Sequence, residues 1–368
     1  MQSERSTLMC VKSDDPSTPD VLPEPHVGAS ISELSRQSRV MRTMGTPFVA
    51  DLLAAVDRQL DHAPHTARLI RSWGRTAASS AIAMRINAAL HALARQGRVP
   101  LLSALYAGEH RRFDEAVALA LASHDDLLVD WLHQVPQTNE VGRAAAFHAA
   151  LMVLARDHGG VFDLFEIGAS AGLNLNLARY AYDLGGVRTG DAHSPVHIAP
   201  AWHGSPPPNV PVVIGEARGV DLHPVDIHDP AACERLASFI FADQPERGAR
   251  LENALALARR HPPHMAAGSA ADWLAAQFSV PSTEERHRVV LHSMVLQYVG
   301  AEERGAIERV LARVGGEACR SRTFACIGFE WDERQERVEL RLRSWPDGRD
   351  QVLAHCHPYG AWIEWIGM

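Results

Sequence analysis

Residues 161–175 read Val-Phe-Asp-Leu-Phe-Glu-Ile-Gly-Ala-Ser-Ala-Gly-Leu-Asn-Leu, and no other stretch narrows the fold as far. Val161, Phe162, Leu164, Phe165 and Ile167 form a nearly continuous apolar run, broken only by Asp163 and Glu166. A strand with one wet face alternates, so this run suits a parallel strand covered on both sides. Gly168 and Gly172 supply backbone angles closed to other residues and let a second group approach the main chain. Leu173, Leu177 and Tyr180 follow at helical spacing, with Asn174, Asn176 and Arg179 between them. Strand, glycine turn and helix start make the entrance to a nucleotide-type pocket, since free amides at a helix start attract negative or polar groups. The same residues also describe a plain strand-to-helix turn of any α/β protein.

Spacing narrows the ligand. Dinucleotide folds use Gly-x-Gly-x-x-Gly, and the phosphate-gripping loop uses Gly-x-x-x-x-Gly-Lys-Ser/Thr. Neither fits Glu166-x-Gly168-x-x-x-Gly172, where Ser170 stands at the place of a middle glycine. An acid at the end of a first strand, two residues before the first glycine, resembles the start of class I S-adenosylmethionine (SAM) methyltransferases. That resemblance puts Glu166 towards the amino-acid end of the cofactor. It puts Gly168, Ala169, Ser170, Gly172 and Asn174 along the turn beside the sugar and methionine portion.

The chain has 368 residues, enough for one large or two medium domains. A formal net charge of −8 argues against a protein that works by gripping nucleic-acid phosphates. The start Met1-Gln-Ser-Glu-Arg-Ser lacks a basic-then-apolar signal, and no apolar run is long enough to span a bilayer, so a cytoplasmic protein with no membrane partner is expected. Cys10, Cys233, Cys319, Cys326 and Cys356 are an odd, scattered set without a Cys-x-x-Cys pair, which implies neither a disulfide framework nor a zinc ribbon.

Three regions follow from texture. Residues 1–28 carry Ser, Asp, Pro and Glu without periodicity and read as a flexible tail. Residues 29–158 are helical throughout, with one stripe through Phe48, Leu52, Leu53, Val56 and Leu60 and another through Ile82, Ile86, Leu90 and Leu93. Residues 159–368 alternate short apolar runs with helical patterns, as a βαβ sheet does. Val210–Ile214 with Val220 gives a second strand, Arg288–Ser293 a buried central one, and 302–314 a helix. The runs 324–331, 338–345 and 351–356 read as antiparallel strands, with a tight turn at Pro346-Asp-Gly-Arg.

Four motifs carry a wider resemblance: Gln137-Thr-Asn-Glu-Val-Gly-Arg143, Glu166–Leu175, Gly219-Val-Asp-Leu-His-Pro-Val-Asp226 and His292-Ser-Met-Val-Leu-Gln-Tyr298. Over residues 35–368 the chain resembles an uncharacterised bacterial domain-of-unknown-function family that looks like class I methyltransferases. The resemblance implies an α/β fold: a Rossmann-like class I methyltransferase sheet, mostly parallel with antiparallel C-terminal strands, and an all-helical N-terminal domain. It implies SAM as cofactor and leaves the acceptor substrate unidentified.

Each candidate residue has two readings. A ribose acid belongs at the end of a second strand, roughly 20 residues past the glycine turn in compact folds. Asp183 lies near that distance but follows what reads as a continuing helix, whereas Asp221 ends a better strand and is preferred; it also reads as a turn acid before Pro224. In His264–Trp273 the resemblance expects an acid at 269, where this chain has Ser269; Asp272 could replace it at the adenine or cap a helix over 273–278. His292 is a general-base candidate, with Tyr298 orienting a substrate, or a hydrogen-bonded core residue. Asn139 could cap a helix from Val141, or the 137–143 loop could fold over the pocket with Glu140 and Arg143 binding substrate or the cofactor's carboxylate. His355 and His357 share a strand face without a fourth ligand, so no metal is expected.

These readings add up to a SAM-dependent methyltransferase-like enzyme acting on a small-molecule acceptor. The alternative is a non-catalytic nucleotide or SAM-binding protein of the same fold.

Overall fold

The computed structural model describes residues 32–43, 45–72, 81–134, 136–280 and 285–367. The tail expected over 1–28, with Cys10, lies outside them. Helices come first: α1 (Glu33–Thr43), α2 (Pro47–Gln59), α3 (Pro64–Ser72), α4 (Ile82–Arg95), α5 (Pro100–Tyr106), α6 (Phe113–Ser123) and α7 (Asp125–His133). Their stripes meet in one core, in which Leu52, Leu53, Ile82, Leu90 and Leu93 are fully buried.

The next helix, α8 (Ala144–His158), belongs elsewhere. Every residue from Ala144 to Ala155 is buried, and they pack in the core of the sheet rather than that of α1–α7. A helix apolar on all sides must be enclosed on all sides, and its run of alanines lets neighbours come close.

Strands follow as β1 (Val161–Ile167), β2 (Ala181–Leu184), β3 (Val187–Gly190), β4 (His197–Ile198), β5 (Ala201–His203), β6 (Val213–Asp221), β7 (His264–Ala267), β8 (His287–Ser293), β9 (Phe324–Trp331), β10 (Val338–Trp345), β11 (Arg349–Cys356) and β12 (Trp362–Trp365). Nine of them form one sheet in the order β5-β12-β11-β10-β9-β8-β1-β6-β7. The β7-β6-β1-β8-β9 portion is parallel, and β9 through β12 run antiparallel in succession. The result is a mixed α/β architecture around a large, mostly parallel sheet.

Alternation then sorts the strand residues. Phe162, Leu164, Val289, Leu291, Ile327 and Phe329 face α8, while Phe165, Ile167, Val290, Phe324 and Cys326 face α11 (Ala270–Gln277) and α12 (Ala301–Gly316). Both faces are covered, which is why β1 and β8 lack alternation in sequence. Helices α9 (Pro230–Ser238) and α10 (Pro245–Arg260) link β6 to β7.

One expectation fails locally. Residues 177–182 do not continue a helix: a 3-10 turn over Leu173–Arg179 stops at Tyr180, and Ala181–Leu184 is β2 in a separate sheet ordered β3-β2-β4. The buried Tyr180 and Tyr182 hydroxyls donate to the carbonyls of Leu173 and Leu177, closing the turn from below. Among the described residues no helix is long and apolar enough to cross a membrane.

Candidate functional site

Chain order in the parallel strands reverses at β1: β6 and β7 lie to one side, β8 and β9 to the other. In open α/β sheets the crevice beyond the carboxyl ends at such a reversal is where ligands bind. Glu166 and Gly168, Asp221, Gly268, and Ser293 to Tyr298 all stand at those ends. Asp183 does not. It bonds to Gly186 in the β2–β3 hairpin, so of the two ribose candidates only Asp221 adjoins the glycine turn.

The turn is not the open cradle that its glycines suggest. Ala169 N–H donates to Val220 O (3.1 Å), Ser170 N–H to Asp221 Oδ2 (2.9 Å), and Gly172 N–H to Ala169 O (2.7 Å). Asn139 Oδ1 accepts from both Ala171 N–H (3.2 Å) and Leu173 N–H (3.1 Å). The amides expected to face a ligand are therefore engaged inside the protein. Packing accounts for the glycines: with φ of 66° and 69°, an added Cβ would lie 2.4 Å from Val295 Cγ2 at Gly168 and 2.8 Å from Met265 Sδ at Gly172.

Side chains, in contrast, are left wanting. Glu166 is 1% exposed; its Oε1 accepts from Asn174 Nδ2 at 2.9 Å, and its Oε2 has no hydrogen-bond partner among the described residues. Ser170 Oγ and Asn174 Oδ1 are also buried and unpartnered. Burial, with the Asp221 charge nearby, pushes the Glu166 carboxyl up to about 8 against the pull of Asn174 and Arg143. Ser170 and Met294, just beyond β1 and β8, hold φ of 55° and 54°, a left-handed conformation that L residues adopt at a cost.

The segment 137–143 lies across these strand ends as a strap. Gln137 Nε2 donates to His223 O (2.6 Å), Asn139 clasps the glycine turn, and Arg143 donates through Nε to Pro358 O (2.9 Å) and through Nη1 to Ser293 Oγ (3.3 Å). Glu140, not Asn139, caps the 3-10 turn Val141–Arg143, its Oε1 accepting from Gly142 N–H. Its other oxygen takes Arg247 Nη2 at 2.6 Å. Burial opposes the Glu140 charge, but Arg247 and Arg143 outweigh it and hold the carboxyl below its usual range. Glu140 is thus the anchor of the strap and is already paired. Gly142 backs onto Gly360, where an added Cβ would lie 2.6 Å from Gly142 O. A small cavity beneath the strap is lined by Thr138, Asn139, Glu140, Ile240 and Arg247, and by no residue of the glycine turn.

Other candidates fall differently. His292 points to the α12 face, where its Nδ1 meets Glu330 Oε1 at 2.9 Å; the same carboxylate oxygen accepts from Val295 N–H at 3.1 Å. Burial disfavours the imidazolium, yet Cys326 and Glu330 override it and keep His292 protonated above its ordinary range. An imidazolium has no lone pair to take a proton, so this geometry suits holding the turn after β8 rather than general-base work. Ser269, not Asp272, caps the helix, which begins at Ala270: its Oγ accepts from Asp272 N–H and donates to Glu303. Ala169 packs against Gly219. Tyr298, at the end of the 3-10 turn Leu296–Tyr298 that follows β8, is 53% exposed.

Sequence reasoning missed Glu330, Arg247 and Ser293. Glu330 had a readable signal, since it closes a buried apolar strand as Glu166 closes β1.

The matching family model spans residues 32–365 and takes in the strap, the glycine turn and both flanking strand ends. The chain belongs to DUF2332, a family described as an uncharacterized protein conserved in bacteria. No curated protein and no solved structure matches this DUF2332 chain.

Proposed function

We propose that the chain is a Rossmann-like, SAM-dependent methyltransferase-like enzyme acting on a small molecule. The observation that carries the reading is Glu166: a buried carboxyl, half unpartnered, at the end of the strand where the sheet reverses. A neutral pocket would not leave it so. An ammonium beside Oε2 would pair with it and draw off its proton, and the amino-acid end of SAM carries such a group.

Ser170 Oγ and Asn174 Oδ1 offer further unmet polar atoms, and Gly268 has open space where a side chain would stand. Glu166, Ser170 and Asn174 would hold the amino-acid end, and the crevice past Asp221 and Gly268 the nucleoside. Asp221 already accepts from Ser170 and His223 amides, so its part is to shape the turn. The cofactor would supply an electrophilic methyl group; the chain supplies alignment, exclusion of water by the strap, and a charge partner.

Calorimetry with SAM and S-adenosylhomocysteine near pH 7, in buffers of different ionisation heat, tests this. Binding should release close to one proton, NAD and ATP should give no signal, and Glu166→Gln should abolish the release. Absence of binding by either ligand refutes the reading. Glu166→Gln is preferable to a bulky residue at Gly168, where Val295 fills the space. A second reading, a non-catalytic binder of the same cofactor, is favoured by one observation: His292 is held protonated by Cys326 and Glu330 against burial and is not free to serve as a base. Turnover against a panel of acceptors separates the two.

A further inference from the structure

We infer that the molecule taken up beside the cofactor is a small carboxylate, received by Arg143 above the ends of β8 and β9. Calling it the acceptor rests on the proposed function; the anion site stands on Arg143 itself.

Arg143 is 5% exposed, yet no described carboxylate forms an ion pair with it. Its protein partners are neutral, Pro358 O and Ser293 Oγ, and its guanidinium lies 5.7 Å from the Phe329 ring centroid. Arg247, comparably buried, pairs directly with Glu140 at 2.6 Å. Glu140 and Glu330 act on Arg143 only from a distance, and burial still lowers it, so Arg143 is the member of the pair with room for a carboxylate in contact. Nη2 makes no bond to the described residues and is not sealed from solvent, leaving the Nη1–Nη2 edge to receive a planar carboxylate in two parallel bonds.

Surroundings agree. Burial raises the Tyr298 hydroxyl, and Arg85 and Arg143 both act on it in opposition, so a cation from α4 and one from the strap lie near Tyr298. Location distinguishes acceptor from cofactor. Arg143 sits over Ser293 and Phe329, on the β8–β9 side of the reversal, whereas Asp221 and Gly268 are on the β6–β7 side.

Titrating the full chain with benzoate, succinate and inorganic phosphate, each with and without S-adenosylhomocysteine or methylthioadenosine, tests the site. Carboxylates should bind in preference to phosphate, persist with S-adenosylhomocysteine present, and weaken about tenfold in Arg143→Lys, which keeps the charge but loses the fork. No saturable carboxylate binding, equal binding by the variant, or phosphate bound as tightly overturns the proposal. Displacement by S-adenosylhomocysteine but not by methylthioadenosine, which lacks the amino-acid end, would assign Arg143 to the cofactor and also overturn it. If Arg143→Lys does not fold, Tyr298→Phe at the exposed rim should weaken carboxylates by about threefold, as loss of one hydrogen bond does, and no change refutes the idea. Carboxylate binding without S-adenosylhomocysteine binding would leave this site standing and sink only the cofactor reading.

Discussion

Glu140 on the strap and Glu166 behind the glycine turn are both buried, at 6% and 1% exposure, and they titrate in opposite directions. Glu140 has Arg247 in contact, Arg250 and Arg143 near by, and an amide on its inner oxygen. Glu166 has one asparagine in contact and Arg143 only at a distance. Burial alone therefore decides neither; a counterion in place makes a structural joint, and its lack makes a receptor.

Arg247→Met should break that contrast most forcefully. It strands the Glu140 charge, removes the guanidinium that lies 3.9 Å from the Tyr359 ring, and should cost about 3–5 kcal/mol in denaturant unfolding. A loss near zero would mean that the strap is not anchored through Glu140.

Next in size is a pH effect at the unpaired acid. The folded chain keeps a proton on Glu166 up to about pH 8, while the unfolded chain releases it near 4.5, so the native state binds the extra proton between those values. Stability must then fall as pH rises through that window, by about 3 kcal/mol from pH 5 to pH 8 at roughly 1.4 kcal/mol per unit. Glu166→Gln should flatten the curve. An unchanged slope in that variant would show that Glu166 is already ionised and paired.

Asn139→Ala comes third. It leaves the Ala171 and Leu173 amides without their shared acceptor and should cost about 1–3 kcal/mol. It should also speed exchange of those two amides in particular, and uniform exchange across the chain would argue against a local clasp.

Legibility followed range. The strands Phe324–Trp331 and Val338–Trp345 were readable to the residue, because Val338, Leu340 and Leu342 are buried while Arg341 is exposed. β2 was not, because Leu173, Leu177 and Tyr180 keep helical spacing, whereas the strand after Tyr180 is made by pairing with β3 and with β4, which lies further along the chain. Glu166, Ser170, Asn174 and Asp221 could be grouped from local spacing and from one strand-end rule. That Asn139 would fill the turn amides, or that Arg143 would reach Ser293, depends on where a distant loop lands. Periodicity carries no information about that landing. His292 illustrates the limit of residue type: the imidazole was visible, but Cys326 and Glu330, which keep it protonated, lay on another strand.

The smallest effect gives the finest form of the comparison. Ser170 Oγ is buried and unbonded, so Ser170→Ala removes a desolvated hydroxyl that no described residue satisfies, at a backbone angle no worse for Ala than for Ser. Asn139→Ala removes an acceptor from amides that stay behind. By the asymmetry between leaving a polar group unpaired and deleting one already unpaired, Ser170→Ala should be neutral or stabilising by up to about 1 kcal/mol. Affinity for S-adenosylhomocysteine should move the other way and weaken, since a hydroxyl kept dry at a stability cost is explained by a ligand that bonds it. If Ser170→Ala destabilises the chain as much as Asn139→Ala does, the hydroxyl has a protein partner after all, and the turn is a finished structural element rather than one awaiting a ligand.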